Sequence, residues 1–226
     1  VAHHRDNLMQ IEAFFLGQAG LLDTAAIPER YQQQALNDSY FTELKSEYQY
    51  LAHKFGLQAM DANQWRFLRL RPQNFPHIRI AQLARLYYEQ RAGLSQLLEC
   101  ESVKQVRELL VTQVTRYWET HYVFGEESVK SEKKLSAASL NLLIINTVAP
   151  ILFAYGKHKN AEKYCERAFD FLEALKAEDN HIVRMWKEVG LMVETAGDSQ
   201  ALIQLKKEYC DRKDCLRCRI GYEYLK

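Results

Sequence analysis

The sequence lacks the short motifs that identify many enzymes. It contains no GxxxxGKS or GxxxxGKT phosphate-binding loop, no GxGxxG dinucleotide motif, no HExxH zinc motif and no GxSxG nucleophile elbow. An enzyme assembled from dispersed residues would leave no such trace in the sequence. It therefore stays open whether the chain is an enzyme, and no residue is assigned a catalytic role.

Net charge is also nearly absent. Lys and Arg together number 30 and Asp and Glu together number 29, a balance of +1. This balance excludes a polyanion binder that uses its whole surface and leaves room only for a local basic patch. The 226 residues are 47% hydrophobic, which is enough for a substantial core. We expect a single domain over residues 1–226, or two packed lobes at about residues 1–125 and 126–226.

The chain has no secretory signal, no arginine-rich transit segment and no uninterrupted apolar run of membrane-spanning length. Its longest apolar stretch, residues 140–154, is interrupted by Asn141, Asn146 and Pro150. We therefore expect a cytoplasmic protein without a membrane partner. Because the sequence begins with Val1 rather than methionine, we also expect a fragment of a longer chain.

The residues that break helices are few, with 4 prolines and 9 glycines, and no segment shows the alternation of a strand. Apolar residues instead recur with helical spacing, as in the run Phe41, Leu44, Tyr48, Leu51 and Phe55. Residues 138–155 predict a central helix with a kink near Pro150. Residues 152–175 look like one tetratricopeptide hairpin. The pattern predicts an all-α fold, an irregular bundle of antiparallel helices with short loops.

Positive charge is concentrated in residues 65–91, which we call the arginine junction. It holds six arginines and a single acidic residue, Glu89. Pro72 ends the preceding segment, and Pro76 is suited to the first position of a new helix. Free N–H groups at that helix start favour an anion. The candidate contacts to phosphate or nucleic acid are Arg66, Arg69, Arg71 and Arg79. In the alternative interpretation, these arginines cover apolar surface and pair with acids.

Aromatic residues are dense in residues 116–125. The spacing predicts that Trp118, His121 and Tyr122 lie on adjacent turns of one helix. Such rings can form a platform for nucleobases, but an ordinary corner of the core uses the same residues. Without a matching basic groove, we favour the core.

Three of the five cysteines, Cys210, Cys215 and Cys218, follow the pattern CxxxxCxxC. Thiolates at this spacing can bind one metal ion, zinc before an iron–sulfur cluster. A fourth ligand would have to come from Cys100, Cys165 or a histidine such as His181. The alternative is a set of free thiols in a solvated basic tail, because arginines and lysines interleave with the cysteines.

Six segments together resemble one family. They are IEAFFLGQAGLL, WRFLRLRPQNFPHIRIAQLARL, YWETHYVFG, NLLIINTVAPILFAYG, SQALIQLKKEYC and CLRCRIG. In this order they look like the C-terminal part of a bacterial family catalogued as domain of unknown function 2851. The resemblance implies a longer protein whose upstream half looks like a restriction-endonuclease-type nuclease core. It lends no activity and no functional residues.

Our interpretation is a helical binding or accessory domain that contacts nucleic acid or phosphate through the arginine junction of a nuclease-like parent protein. One alternative is a protein-interaction scaffold for another chain or for the missing N-terminal half. The other is a metal-binding or redox domain centred on the C-terminal cysteines.

Overall fold

The computed structural model describes residues 7–91 and 93–225. The chain divides into two compact units. Unit 1 comprises Val1–Gln96 and Glu108–Ser136, and unit 2 comprises Leu97–Arg107 and Ala137–Lys226. The short segment Leu97–Arg107 belongs to unit 2. The single domain, or the two packed lobes at about residues 1–125 and 126–226, stays a prediction.

The structure is mostly helical, as the sequence predicts. In chain order the helices are α1 (Leu8–Gln18), α2 (Glu29–Asn37), α3 (Ser39–Phe55), α4 (Pro76–Tyr88), α5 (Leu94–Glu99), α6 (Val103–Leu110), α7 (Arg116–Glu119), α8 (Ala137–Leu143), α9 (Ala149–Lys159), α10 (Glu162–Glu173), α11 (His181–Glu188), α12 (Ala196–Leu205) and α13 (Arg219–Leu225). Two short strands, β1 (His121–Val123) and β2 (Glu126–Glu127), form an antiparallel hairpin.

The core of unit 1 forms where α1 packs against α3 and α4. Its largest fully buried side chains include Phe41 of α3, Ile78 of α4 and the aromatic pair Trp118 and Phe124. Local sequence sets the ends of these helices. The Asp38 carboxylate caps α3 by accepting a hydrogen bond from the backbone N–H of Tyr40 at 2.9 Å. Pro76 begins α4, as its fixed backbone geometry predicts.

The hairpin corrects the expectation that Trp118, His121 and Tyr122 share one helix. Helix α7 ends at Glu119, and the chain continues as strand β1. Gly125 takes a φ of +76° in the turn, a conformation that favours glycine. A side chain at this position would also collide with helix α2, because a Cβ atom would lie 2.4 Å from the carbonyl oxygen of Tyr31. The turn and its packing therefore override the helical spacing of the aromatics.

Unit 2 is organised around α9 and α10, which pack closely against each other. A Cβ atom on Gly156 of α9 would lie 2.7 Å from Cys165 Sγ of α10, so the two helices approach at a position without a side chain. A π-helical segment, Ile144–Val148, joins α8 to α9 and ends two residues before Pro150. It interrupts the regular helix next to the place where the proline predicts a kink.

The continuous helical stretch Ala137–Lys159 is long and apolar enough to cross a membrane, judged by length and composition alone. Polar residues such as Asn141 and Asn146 interrupt the stretch. One such helix is weak evidence for a membrane span, since the core helix of a soluble protein passes the same test.

Candidate functional site

The first part of the arginine junction, residues 65–71, is irregular and lies against the core of unit 1. Trp65 anchors it by donating an indole N–H hydrogen bond to the carbonyl oxygen of Ala19 at 2.8 Å. Trp65 and Phe67 are half-buried, whereas Arg66 between them is exposed. This alternation is expected of an extended chain lying on a surface, with successive side chains on opposite sides.

A turn presents the second arginine to solvent. The N–H of Leu70 donates to the carbonyl oxygen of Phe67 at 3.1 Å, and Arg69 takes a φ of +66° inside this turn. Residues other than glycine adopt that conformation at a cost of about 1 kcal/mol. Leu68 and Arg69 are both exposed at the tip.

The exposed arginines have no acidic partner among the residues that the structure describes. No ion pair within residues 7–91 and 93–225 involves Arg66, Arg69 or Arg71. The single acidic residue of the junction already forms ion pairs with other arginines. Glu89 binds Arg85 at 2.6 Å and Arg91 at 3.1 Å. Acid pairing therefore explains the last two arginines of the junction but not the first three.

Arg79 differs from the other three candidate phosphate contacts. It is half-buried on α4, and its guanidinium donates to Asn74 Oδ1 at 2.6 Å and to Gln82 Oε1 at 2.9 Å. Burial lowers the pKa of this guanidinium below its ordinary value. Its side chain links the segment before α4 to the first turns of that helix, which suits a positioning role.

Beside the arginines, unit 1 contains a cavity of about 350 Å³. We call it the aromatic cavity. Its lining comes from the chain before α2, the start of α2, the arginine junction and the β1–β2 hairpin: Ala26, Ile27, Pro28, Arg30, Tyr31, Phe67, Phe75, His77, Val123, Phe124 and Glu126. Ligand pockets in proteins have volumes of about 300–1,000 Å³. The cavity is therefore large enough for a small planar molecule.

His77 is the buried polar group of this cavity and is only 6% exposed. The centre of its imidazole ring lies 5.4 Å from that of Phe124 and 5.8 Å from those of Phe67 and Trp118. Burial lowers the pKa of His77 to about 3, so the ring is neutral at physiological pH. Its Nδ1 atom is buried and has no hydrogen-bond partner in the described part of the chain.

A second buried polar cluster is centred on Glu12 of α1, which is 1% exposed. Its carboxylate accepts hydrogen bonds from the Tyr40 hydroxyl and from the Thr115 hydroxyl, the latter at 3.3 Å. Burial raises the pKa of Glu12 to about 7, and the hydrogen bonds oppose this rise only in part. Tyr40 and Thr115, but not Glu12, line a separate cavity of about 560 Å³. The Glu12 carboxyl group can exchange a proton near neutral pH, but Tyr40 and Thr115 separate it from the cavity.

The cysteines of the C-terminal pattern do not meet at one point. Cys210 and Cys215 are exposed, whereas Cys218 is buried. Within the described ranges, no group of three or more His, Cys, Asp and Glu side chains is arranged to hold a metal ion. Cys100 and Cys165, two of the suggested fourth ligands, are both buried. Metal binding by Cys210, Cys215 and Cys218 thus stays a prediction without geometric support.

Sequence reasoning located the arginines but missed the aromatic cavity and the Glu12 cluster. The cavity combines Phe67 and His77 with residues more than thirty positions away in either direction, such as Arg30 and Phe124. Glu12 did leave a signal, because it is the only charged residue in α1, LMQIEAFFLGQ. An isolated acid in an apolar helix indicates a buried carboxyl group that needs hydrogen-bond partners.

Fold and site together define a mostly helical protein whose unit 1 carries exposed arginines next to an aromatic cavity. The model of the family described as "Protein of unknown function (DUF2851)" matches residues 1–181. The chain belongs to this family, as the resemblance implied. That it corresponds to the C-terminal part of a longer member stays a prediction, and the segment with Cys210, Cys215 and Cys218 lies beyond the match. No curated protein and no solved structure matches the chain.

Proposed function

We propose that the protein binds nucleic acid through the phosphate contacts of Arg66, Arg69 and Arg71, with Arg79 as a positioning residue. The observation that carries this proposal is the exposure of three neighbouring arginines without acidic partners in the described chain. An unpaired guanidinium is weakly hydrated and binds phosphate oxygens in a bidentate manner. The protein as a whole is nearly neutral, so the contact is local.

The number of contacts can be read from the dependence of binding on salt. Each phosphate neutralised on a single strand contributes about −0.7 to the slope of log K against log salt concentration. Replacing Arg66, Arg69 and Arg71 by glutamine should therefore make this slope shallower by about 2. Fluorescence anisotropy of a labelled oligodeoxynucleotide, titrated between about 50 mM and about 200 mM salt, measures it.

The matched control removes the same charge elsewhere. Arg184, Arg212 and Arg217 lie in unit 2, and each is paired with an acid. Replacing these three by glutamine should leave the salt slope unchanged. Binding that is undetectable at low salt, or that is equally weakened by both triple variants, would refute the proposal. Circular dichroism shows whether each variant is folded.

A second candidate function, a protein-interaction scaffold, is favoured by an apolar surface in unit 2. A cavity of about 270 Å³ is lined by residues of the π-helical segment and of α9, α10 and α12: Ile145, Ala149, Pro150, Phe153, Ala168, Phe169, Leu172 and Gln200. Phe169 is 56% exposed and Phe153 is 38% exposed. Exposed aromatic rings of this kind are typical of contacts with apolar side chains of a partner.

The partner to test first is the upstream nuclease-like half that the family resemblance implies. Produced separately, it should bind this chain, and Phe169→Glu should weaken the binding at least tenfold, because it places a charge in the apolar contact. Isothermal titration calorimetry measures the affinity. Glu173→Gln, a change at the end of the same helix, is the control. We place both candidate functions in the cytoplasm, the compartment that keeps cysteine thiols reduced.

A further inference from the structure

The aromatic cavity and the exposed arginines are built from the same short piece of chain. Phe67, which lines the cavity, is the direct neighbour of Arg66 and lies two positions before Arg69. Neighbouring Cα atoms are about 3.8 Å apart. A molecule that occupies the cavity therefore lies within a few ångströms of the backbone that carries the unpaired guanidinium groups.

The walls of the cavity are suited to a flat, uncharged ring. The rings of Phe67 and Phe75 meet edge to face, with centroids 5.2 Å apart and an interplanar angle of 78°. Phe124 and the neutral His77 form a second edge-to-face pair at 5.4 Å and 80°. Phe67 and Phe75 are only half-buried, so their rings can offer faces and edges to an aromatic guest, with Phe124 and His77 packed behind them.

Polar groups that could contact the edge of a ring are few and have both signs. Arg30 and Glu126 are the charged residues of the lining, and both are exposed. Glu126 accepts a hydrogen bond from the Tyr31 hydroxyl at 2.5 Å. A guanidinium donates to base carbonyl and ring nitrogen atoms, and a carboxylate accepts from exocyclic amino groups.

We infer that the aromatic cavity receives one unstacked nucleobase of a single strand whose phosphates contact Arg66, Arg69 and Arg71. This inference rests on the proposed function and adds a base-binding subsite to it. The strand would lie with its backbone along residues 65–71, and one base would turn inward and pack against the half-buried rings of Phe67 and Phe75. Stacking on protein aromatics is not specific for one base. The subsite thus favours single strands over duplexes, in which the bases remain stacked with each other.

The test compares two labelled single strands of equal length, an oligodeoxythymidylate and the same backbone with abasic residues. Wild-type protein should bind the strand with bases about 5- to 150-fold more tightly, the range for stacking one base. Phe75→Ala removes one wall, and Val123→Trp fills the cavity with an indole ring. Both variants should lose the preference for bases while keeping the affinity and the salt slope for the abasic strand.

Phe153→Ala, which removes an aromatic ring from unit 2, is the control and should keep the preference. Equal binding of both strands by wild-type protein would overturn the base subsite and leave the arginine contact standing. A preference that survives in both Phe75→Ala and Val123→Trp would also overturn it. If neither strand binds at low salt, the proposed function fails and the subsite fails with it. Using two variants of opposite volume separates loss of the site from loss of the fold.

Discussion

Replacing Glu12 by glutamine should remove the loss of stability with rising pH that this buried carboxyl group causes in unit 1. Burial raises the pKa of this carboxyl group from its ordinary 4.5 to about 7 in the folded protein. The folded state therefore binds the proton more tightly than the unfolded state. The stability that results is fully present below about pH 4.5 and is lost as the pH rises through about 7.

The magnitude follows from the difference between the two pKa values. One pKa unit corresponds to about 1.4 kcal/mol, so the change from 4.5 to about 7 amounts to about 3 kcal/mol. Glu12 is 1% exposed, so solvent screens this effect little. Most of the loss should occur between about pH 5 and about pH 8. Glutamine has nearly the same shape and stays neutral, so Glu12→Gln should be more stable than wild type at the upper end of this range.

Urea unfolding at several pH values measures the effect. Of the three tryptophans, Trp65 and Trp118 belong to unit 1 and Trp186 to unit 2, so a Trp186→Phe background makes fluorescence report on unit 1. Tyr40→Phe removes a hydrogen bond that lowers the pKa of Glu12 and should shift the midpoint of the loss to higher pH. The exposed Glu29→Gln is the control. Parallel pH profiles for wild type and Glu12→Gln would show that Glu12 does not lose a proton over this range in the folded protein.

Three further predictions concern packing and the strained turn. Gly156→Ala should destabilise unit 2 by about 2 kcal/mol, because its Cβ would lie 2.7 Å from Cys165 Sγ. Gly197→Ala, whose Cβ has its nearest contact at 3.5 Å, is the control and should not destabilise it. Urea unfolding followed by Trp186 fluorescence compares the two variants. Lys133→Met should destabilise unit 1 by about 3 kcal/mol, since the buried ammonium donates to the carbonyl oxygens of Trp118 at 2.5 Å and Glu119 at 2.9 Å. Urea unfolding followed by the fluorescence of Trp65 and Trp118 measures the loss, and an unchanged unfolding midpoint would contradict it. Arg69→Gly should leave the unfolding free energy within about 1 kcal/mol, because glycine accepts the positive φ, yet should make the salt slope of strand binding shallower by about 0.7.

Much of the helical architecture could be predicted because its causes are local. The apolar spacing of α3, the cap at its start and Gly56 in a left-handed conformation at its end all act within a few residues. The start of α4 at Pro76 has the same kind of origin. Each of these signals can be read without knowing where any other segment lies.

The hairpin shows where local signals fail. Residues 118–122 have helical spacing, but Gly125 and its contact with the backbone of Tyr31 place the chain in a turn between two strands. That contact joins positions far apart in the sequence. The same limit applies to the cysteines, since a CxxxxCxxC pattern is a matter of spacing, while a metal site also requires side chains that converge on one point.

The fold class, the family and the concentration of arginines in residues 65–91 can be read from the amino-acid order alone. The packed structure decided which of these arginines are paired and which are exposed. It also decided that Phe67, Phe124 and His77 enclose one cavity, and that Glu12 is buried beneath Tyr40 and Thr115. The physical reason is that burial, pairing and pKa depend on neighbours brought together by packing, and charge counts and helical periods contain no information about which distant residues those neighbours are.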